Sequence, residues 1–200
     1  MPKIIDTHSH LQFAAFDKDL NDVAKRTLSN NIWMINVGTN YKTSQQAVVL
    51  AEKYQQGCYA AIGLHPMHAA AEFMKLRADP NEGESPLENN FDREKYESLA
   101  LSHKDKVVAI GEIGLDYYYK PKTTAKLEQF KEKQKKIFLE QLNLAQELDL
   151  PVILHCRAAH ADMIDILKSY ILNHKSKIQG VVHCFTGNIE EMKQYISLDF

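Results

Sequence analysis

Short apolar runs rich in β-branched residues alternate along this chain with longer stretches in which apolar residues recur every three to four positions. A brief apolar run bounded by polar residues marks a strand, and the longer period marks a helix with one buried face. Strands are predicted over Lys3–His10, Trp33–Gly38, Cys58–Gly63, Val107–Gly114, Pro151–Cys156 and Gly180–Phe185. Helices are predicted over Asp17–Asn30, Thr43–Gln55, Asp92–His103, Thr124–Leu148, Ala159–Asn173 and Asn188–Ser197. In the helix beginning at Thr124, Leu127, Phe130, Ile137, Phe138, Leu142 and Ala145 share one side. Lys131, Lys133, Lys135 and Lys136 fall mostly on the other, which reads as a solvated face.

Strand followed by helix, six times over, is the rhythm of an α/β chain built around a parallel sheet. Two architectures carry it, a TIM (β/α)8 barrel and an open doubly wound sheet, and the polar residues discussed below favour the barrel. A closed barrel takes eight units and typically about 250 residues. The 200 residues are therefore read as a single barrel domain over 1–200, with only about six units, truncated before the seventh and eighth. Segment 79–92 breaks the rhythm with two prolines, a glycine and five acidic residues without a base, and reads as an exposed loop.

Composition narrows the class. With 44% hydrophobic and 25% charged residues the chain is of the ordinary globular kind. It holds no run near the ~20 apolar residues that span a bilayer and no apolar stretch at its start long enough for a signal peptide. A cytoplasmic protein is expected, with no membrane association and no obligate protein partner. The formal charge of −2 supplies no positive field, so a polyanionic substrate must be drawn by a local feature such as bound metal. Cys58, Cys156 and Cys184 each sit in an apolar run and read as reduced, packed thiols.

The chemistry lies at the ends of the predicted strands. His8 and His10 are two apart in an extended segment, so both imidazoles project from one face, where one ion could hold both, and Asp6 shares their phase. Glu112 ends VVAIGE, His155 ends PVILH and His183 ends GVVH. Carboxyl ends of strands are where barrel enzymes keep their active sites. Imidazoles with a single carboxylate suit Zn²⁺ or a similar transition ion better than Mg²⁺, and a carboxylate can bridge two ions. Arg157, next in phase after His155, could grip a phosphate or carboxylate bidentately. His65, in GLHP, is offered at the rim for substrate contact or loop hydrogen bonding. Asp116 either orients a ligand from behind or forms a turn. Strand alternation turns Cys156 and Cys184 outward into the helix layer. His68, His103, His160 and His174 read as surface or capping residues.

Taken together, DTHSHL, GLHP, GEIGLD, ILHCR and HCFTG resemble, in order and spacing, the TatD-like family of metal-dependent deoxyribonucleases among the amidohydrolase-type barrels. The resemblance implies a hydrolase that cleaves phosphodiester bonds in DNA with a water activated between two divalent ions (Zn, Mn or Mg). His8, His10, Glu112, His155 and His183 would be ligands, Glu112 the bridge, and Glu112 and Arg157 the catalytic groups, while His65 and Arg157 would contact substrate. It also implies an aspartate on the eighth strand, beyond residue 200. The acidic segment from Glu82 to Glu88 would limit access of polyanions. The same site could instead hydrolyse a small amide, lactone or aminoacyl ester, and a noncatalytic metal-binding protein is a further alternative.

Overall fold

The computed structural model describes residues 1–74, 80–83, 88–174 and 178–200. Among them six strands form one sheet: β1 (Ile4–Ser9), β2 (Ile32–Val37), β3 (Cys58–Ile62), β4 (Val107–Asp116), β5 (Val152–Arg157) and β6 (Gly180–Val182). Every neighbouring pair is parallel, and the spatial order is the chain order. A doubly wound sheet needs a reversal in that order. Without one, each crossover advances in the same direction and the sheet curls as a partial (β/α) barrel, which excludes the open alternative.

The helices are α1 (Leu20–Ser29), α2 (Tyr41–Glu52), α3 (Pro66–Ala69), α4 (Arg93–Ser102), α5 (Thr124–Glu147), α6 (His160–His174) and α7 (Ile189–Ile196). Capping boxes start α2 and α7: the Asn40 side chain accepts from the Thr43 N–H, and that of Asn188 from the Glu191 N–H. The one-turn α3 has too little sequence to show a period, and Pro66 at its first position pre-sets it. No helix is long and apolar enough to cross a membrane among the described residues.

Among the described residues two buried clusters lie on opposite faces of the sheet. The larger joins Met34, Ala60, Ile110 and Leu154 of the strands with Phe130, Phe138 and Leu142 of α5. The smaller holds Val37, Ala61, Ala109 and Ile153, with Ile35 packed on it. Successive residues such as Ala60 and Ala61, or Ile153 and Leu154, fall into different clusters, as strand alternation requires. Burying each large side chain contributes roughly 1.5–3 kcal/mol, so the α5 layer is a main source of stability.

Three expectations need correction. The last strand ends at Val182, and Cys184, at φ 44°, lies in the turn beyond it. Alternation no longer applies there, so Cys184 is exposed, whereas Cys58 and Cys156 are buried. The acidic segment is not simply an exposed loop: Glu82 accepts from the Thr39 hydroxyl at 2.8 Å and lies 3.1 Å from His68 Nε2. Glu88 accepts from the Tyr41 N–H at 2.6 Å and the Tyr96 hydroxyl at 3.2 Å. Their burial follows from these partners; the neighbouring Glu84 lies outside the described residues. Finally, His68 and His160 are not surface groups, since His68 faces Glu82 and His160 is buried against Tyr195. His174 does cap, its Nδ1 lying 3.0 Å from the Tyr170 carbonyl, and His103 pairs with Glu52 at the surface.

Candidate metal centre

At the carboxyl ends of the strands the side chains gather around Glu112, a buried carboxylate. His155 Nδ1 is 2.7 Å and His183 Nε2 2.9 Å from Glu112 Oε1, while His8 Nε2 is 3.4 Å from Oε2. His10 Nε2 meets His8 Nε2 at 3.1 Å, and the His8 and His183 rings stack at 3.8 Å. His65 Nε2 lies 3.6 Å from Glu112 Oε1. The structure thus brings together His8, His10, His65, Glu112, His155 and His183. Asp6 stays outside, exposed, accepting the His8 N–H at 3.0 Å.

Hydrogen bonds fix which ring nitrogens offer lone pairs. The Val37 carbonyl, 2.7 Å from His10 Nδ1, can only accept, so the proton sits on Nδ1 and His10 Nε2 presents a lone pair to the cluster. Burial lowers the His10 pKa, favouring this neutral form. His65 is the reverse case. Its Nδ1 accepts the Met67 N–H at 3.1 Å, which leaves the proton on Nε2 and makes His65 a donor toward the site. Burial lowers its pKa too. His65, Glu112 and His155 bring ligand-type atoms within 4.8 Å of one another, as do His8, Glu112 and His183. The His65 tautomer nonetheless suits a hydrogen-bond donor better than a ligand.

Around His8 Nε2, the His10 lone pair and a Glu112 oxygen face one another, an arrangement that a divalent cation satisfies. The His8 Nδ1 atom is buried with no hydrogen-bond partner among the described residues. Burial disfavours ionised Glu112, yet hydrogen bonds and charge from His65, His155 and His183 hold its pKa well below the carboxylate range. For His155, burial opposes the charged form, but hydrogen bonds to Asp116 and Glu112 outweigh it and lift the pKa to about 9.

Backbone and side-chain supports set these positions. Glu112 N–H donates to the Gly38 carbonyl at 2.9 Å, and His183 N–H to Leu154 at 3.0 Å. Gly114, at φ +140°, lies so close to the His155 strand that a Cβ would stand 2.1 Å from the His155 carbonyl oxygen. Asp116 does both things open to it: Oδ2 meets His155 Nε2 at 2.9 Å, and Oδ1 accepts the Tyr118 N–H at 2.9 Å. Sequence reasoning missed two glutamines on α5. Gln141 clamps the Leu64 backbone, accepting at 2.7 Å and donating at 3.0 Å. Gln134 clamps Asp116 in the same way, at 2.8 and 3.0 Å. Both sit in phase with Phe130, Ile137 and Phe138, and polar residues on an apolar stripe were the available signal. Arg157 is not drawn into the carboxylate cluster; its guanidinium stacks 3.6 Å above the Tyr118 ring.

A family model described as TatD related DNase matches residues 5–200. The chain is 34% identical over 202 residues to "Uncharacterized metal-dependent hydrolase YabD" of Bacillus subtilis, spanning 98% of this chain and 66% of that protein. It is 34% identical over 195 residues to the "3'-5' ssDNA/RNA exonuclease TatD" of Citrobacter koseri, spanning 96% and 64%. The crystal structure of YJJV, a TatD homolog from Escherichia coli K12, superposes with TM-score 0.72 at 32% identity, over 98% of this chain and 65% of that one. The chain therefore spans just under two thirds of the length of these relatives.

Proposed function

The chain belongs to the TatD related DNase family, and from that premise we propose that its protein is a metal-dependent nuclease cleaving phosphodiester bonds in DNA. The observation that carries this is the convergence of four imidazoles, His8, His10, His155 and His183, on one buried, ionised carboxylate, Glu112. These five residues would hold two divalent ions, Glu112 supplying the negative charge that offsets them. The fit rests on the lone pair that His10 is compelled to present beside His8 Nε2 and Glu112, and on the donor chemistry. An imidazole-rich set with one carboxylate suits Zn²⁺ or a similar transition ion better than Mg²⁺. Such ions, when bound, would polarise a phosphoryl oxygen and acidify a water nucleophile.

The remaining groups act through position. Val37 holds the His10 ring with its lone pair inward, and Asp116 holds His155 from behind, an arrangement that fixes ring orientation and raises ligand basicity. His65 Nε2–H is placed to donate to a substrate oxygen beside Glu112, and Arg157 to receive the anionic backbone at the mouth. Relatives named as ssDNA/RNA exonucleases favour nucleic acid over a small amide, lactone or aminoacyl ester. The test is incubation of the full-length protein, loaded with Mn²⁺ or Zn²⁺, with end-labelled single-stranded DNA. Product release that chelator abolishes is expected; an intact strand under every metal would overturn the proposal.

A further inference from the structure

Beyond Asp116 and the buried Tyr117 the chain runs Tyr118, Tyr119, Lys120, Pro121, Lys122. Both tyrosine rings are about half exposed, at 55% and 53%, and meet edge to face at 4.8 Å. Arg157 covers Tyr118 at 3.6 Å and lies 5.5 Å from the Tyr119 centroid. The tyrosines open onto a cavity of about 690 Å³ whose lining includes Phe73, Lys120, Lys122 and Lys126 and, among the described residues, no acidic one. Other lysines on α5 are already engaged: Lys133 with Glu72, Lys135 with Asp162, Lys136 with Glu140. Among the described residues, no carboxylate lies within ion-pair distance of Lys120, Lys122 or Lys126. The groove is linked to the metal centre through hydrogen bonds, because the Tyr118 backbone N–H donates to Asp116, whose other oxygen meets His155.

We propose that this groove binds the single strand of nucleic acid flanking the scissile phosphodiester, with bases stacked on Tyr118 and Tyr119 and phosphates met by Lys120, Lys122 and Lys126. The inference rests on the nuclease reading above and deepens it. Aromatic platforms interleaved with unpaired cations are the chemistry that holds unpaired strands, since every base has a π-face and each phosphate a charge. A duplex offers the charge without the faces. The patch also gives an anionic chain a local way to hold a polyanion.

The experiment measures binding of fluorescein-labelled oligodeoxythymidylate to the full-length protein by anisotropy, with EDTA present so that nothing is cleaved. Replacing Tyr118 and Tyr119 together with Ala should weaken binding about 5- to 150-fold for each base whose stacking is lost, and the paired Phe replacement should restore it. Replacing Lys120, Lys122 and Lys126 with Gln should flatten the slope of log K against log salt by about 2, at ~0.7 per phosphate on a single strand. A blunt duplex should respond to the lysine change but little to the tyrosine change. Unaltered single-strand affinity in the Ala variant, or an unaltered salt slope in the Gln variant, overturns the assignment. Hydrolysis of bis(p-nitrophenyl) phosphate by the Mn²⁺-loaded wild type separately reports on the nuclease reading. Turnover of that ester with groove variants that bind normally removes the groove alone. No turnover, with binding changed as described, removes the nuclease reading alone.

Discussion

Replacing Gln141 with Met should destabilise the protein far more than its modest change in shape suggests. The residue is fully buried on α5, and its amide makes both hydrogen bonds to the buried Leu64 backbone, at 2.7 and 3.0 Å. Methionine fills nearly the same volume but strands one N–H and one carbonyl in an apolar layer. Each stranded group costs about 1–3 kcal/mol, or roughly 2–6 kcal/mol for the pair. Burying a thioether in place of an amide returns part of this, leaving a net loss of about 2–4 kcal/mol. For a domain of this size each kcal/mol moves Tm by about 2–4 °C, so a fall of roughly 4–16 °C is expected. The assay is thermal and urea unfolding followed by circular dichroism, with Gln129→Met as control, because Gln129 lies on the exposed side of the same helix. A Gln141→Met protein that unfolds with its control would show that the clamp contributes nothing and that the Leu64 backbone finds other partners.

Glu112→Gln should lower bound metal, measured by elemental analysis after dialysis, more than Arg157→Ala does, because a neutral amide cannot balance two dications while Arg157 stands outside the cluster; equal content in the two variants would contradict this. Asp116→Asn, which removes the charged partner of His155, should weaken metal affinity by about 10- to 100-fold in a competition titration with a chromogenic chelator, and an unchanged affinity would remove Asp116 from the site. Of the three free cysteines, only exposed Cys184 should react rapidly with Ellman's reagent in the native protein. Burial pushes the Cys58 and Cys156 thiols up to about 11, so both should react only after denaturation, and prompt titration of all three would refute that packing.

Strand ends were legible because an apolar run closed by a histidine or glutamate marks both the element and the direction of its polar tip. Glu112, His155 and His183 could be found that way, and the HxH pair at residues 8 and 10 needed only strand alternation. Alternation failed at Cys184, since nothing local announces that β6 stops two residues earlier and that the chain turns through a positive φ. Pattern was equally silent on Glu82 and Glu88, whose partners Thr39, His68, Tyr41 and Tyr96 are distant in sequence. The tautomers of His10 and His65 belong to the same class. Each is set by one backbone group, the Val37 carbonyl or the Met67 N–H, which only the folded chain brings into place.

That dependence on distant partners also bears on how a chain of net charge −2 could accommodate a polyanion. Counting charges treats every carboxylate as a repulsive centre, but the described structure disposes of several. Thr39 and His68 lower the Glu82 pKa against the opposing effect of burial, keeping it ionised while directing its oxygens inward. Burial raises the pKa of Glu88 and favours its neutral form. Glu72, Asp162 and Glu140 are matched against lysines of α5. Charge that is paired at contact distance projects little field beyond a Debye length of about 8 Å at physiological salt. The unbalanced cations at the mouth are Arg157, which lies in no ion pair among the described residues, and the three lysines beside Tyr119. Field near the centre is therefore set by a few residues rather than by the total, and neutralising an engaged lysine such as Lys133 would release Glu72, next to Phe73 of the groove, as an unpaired negative charge.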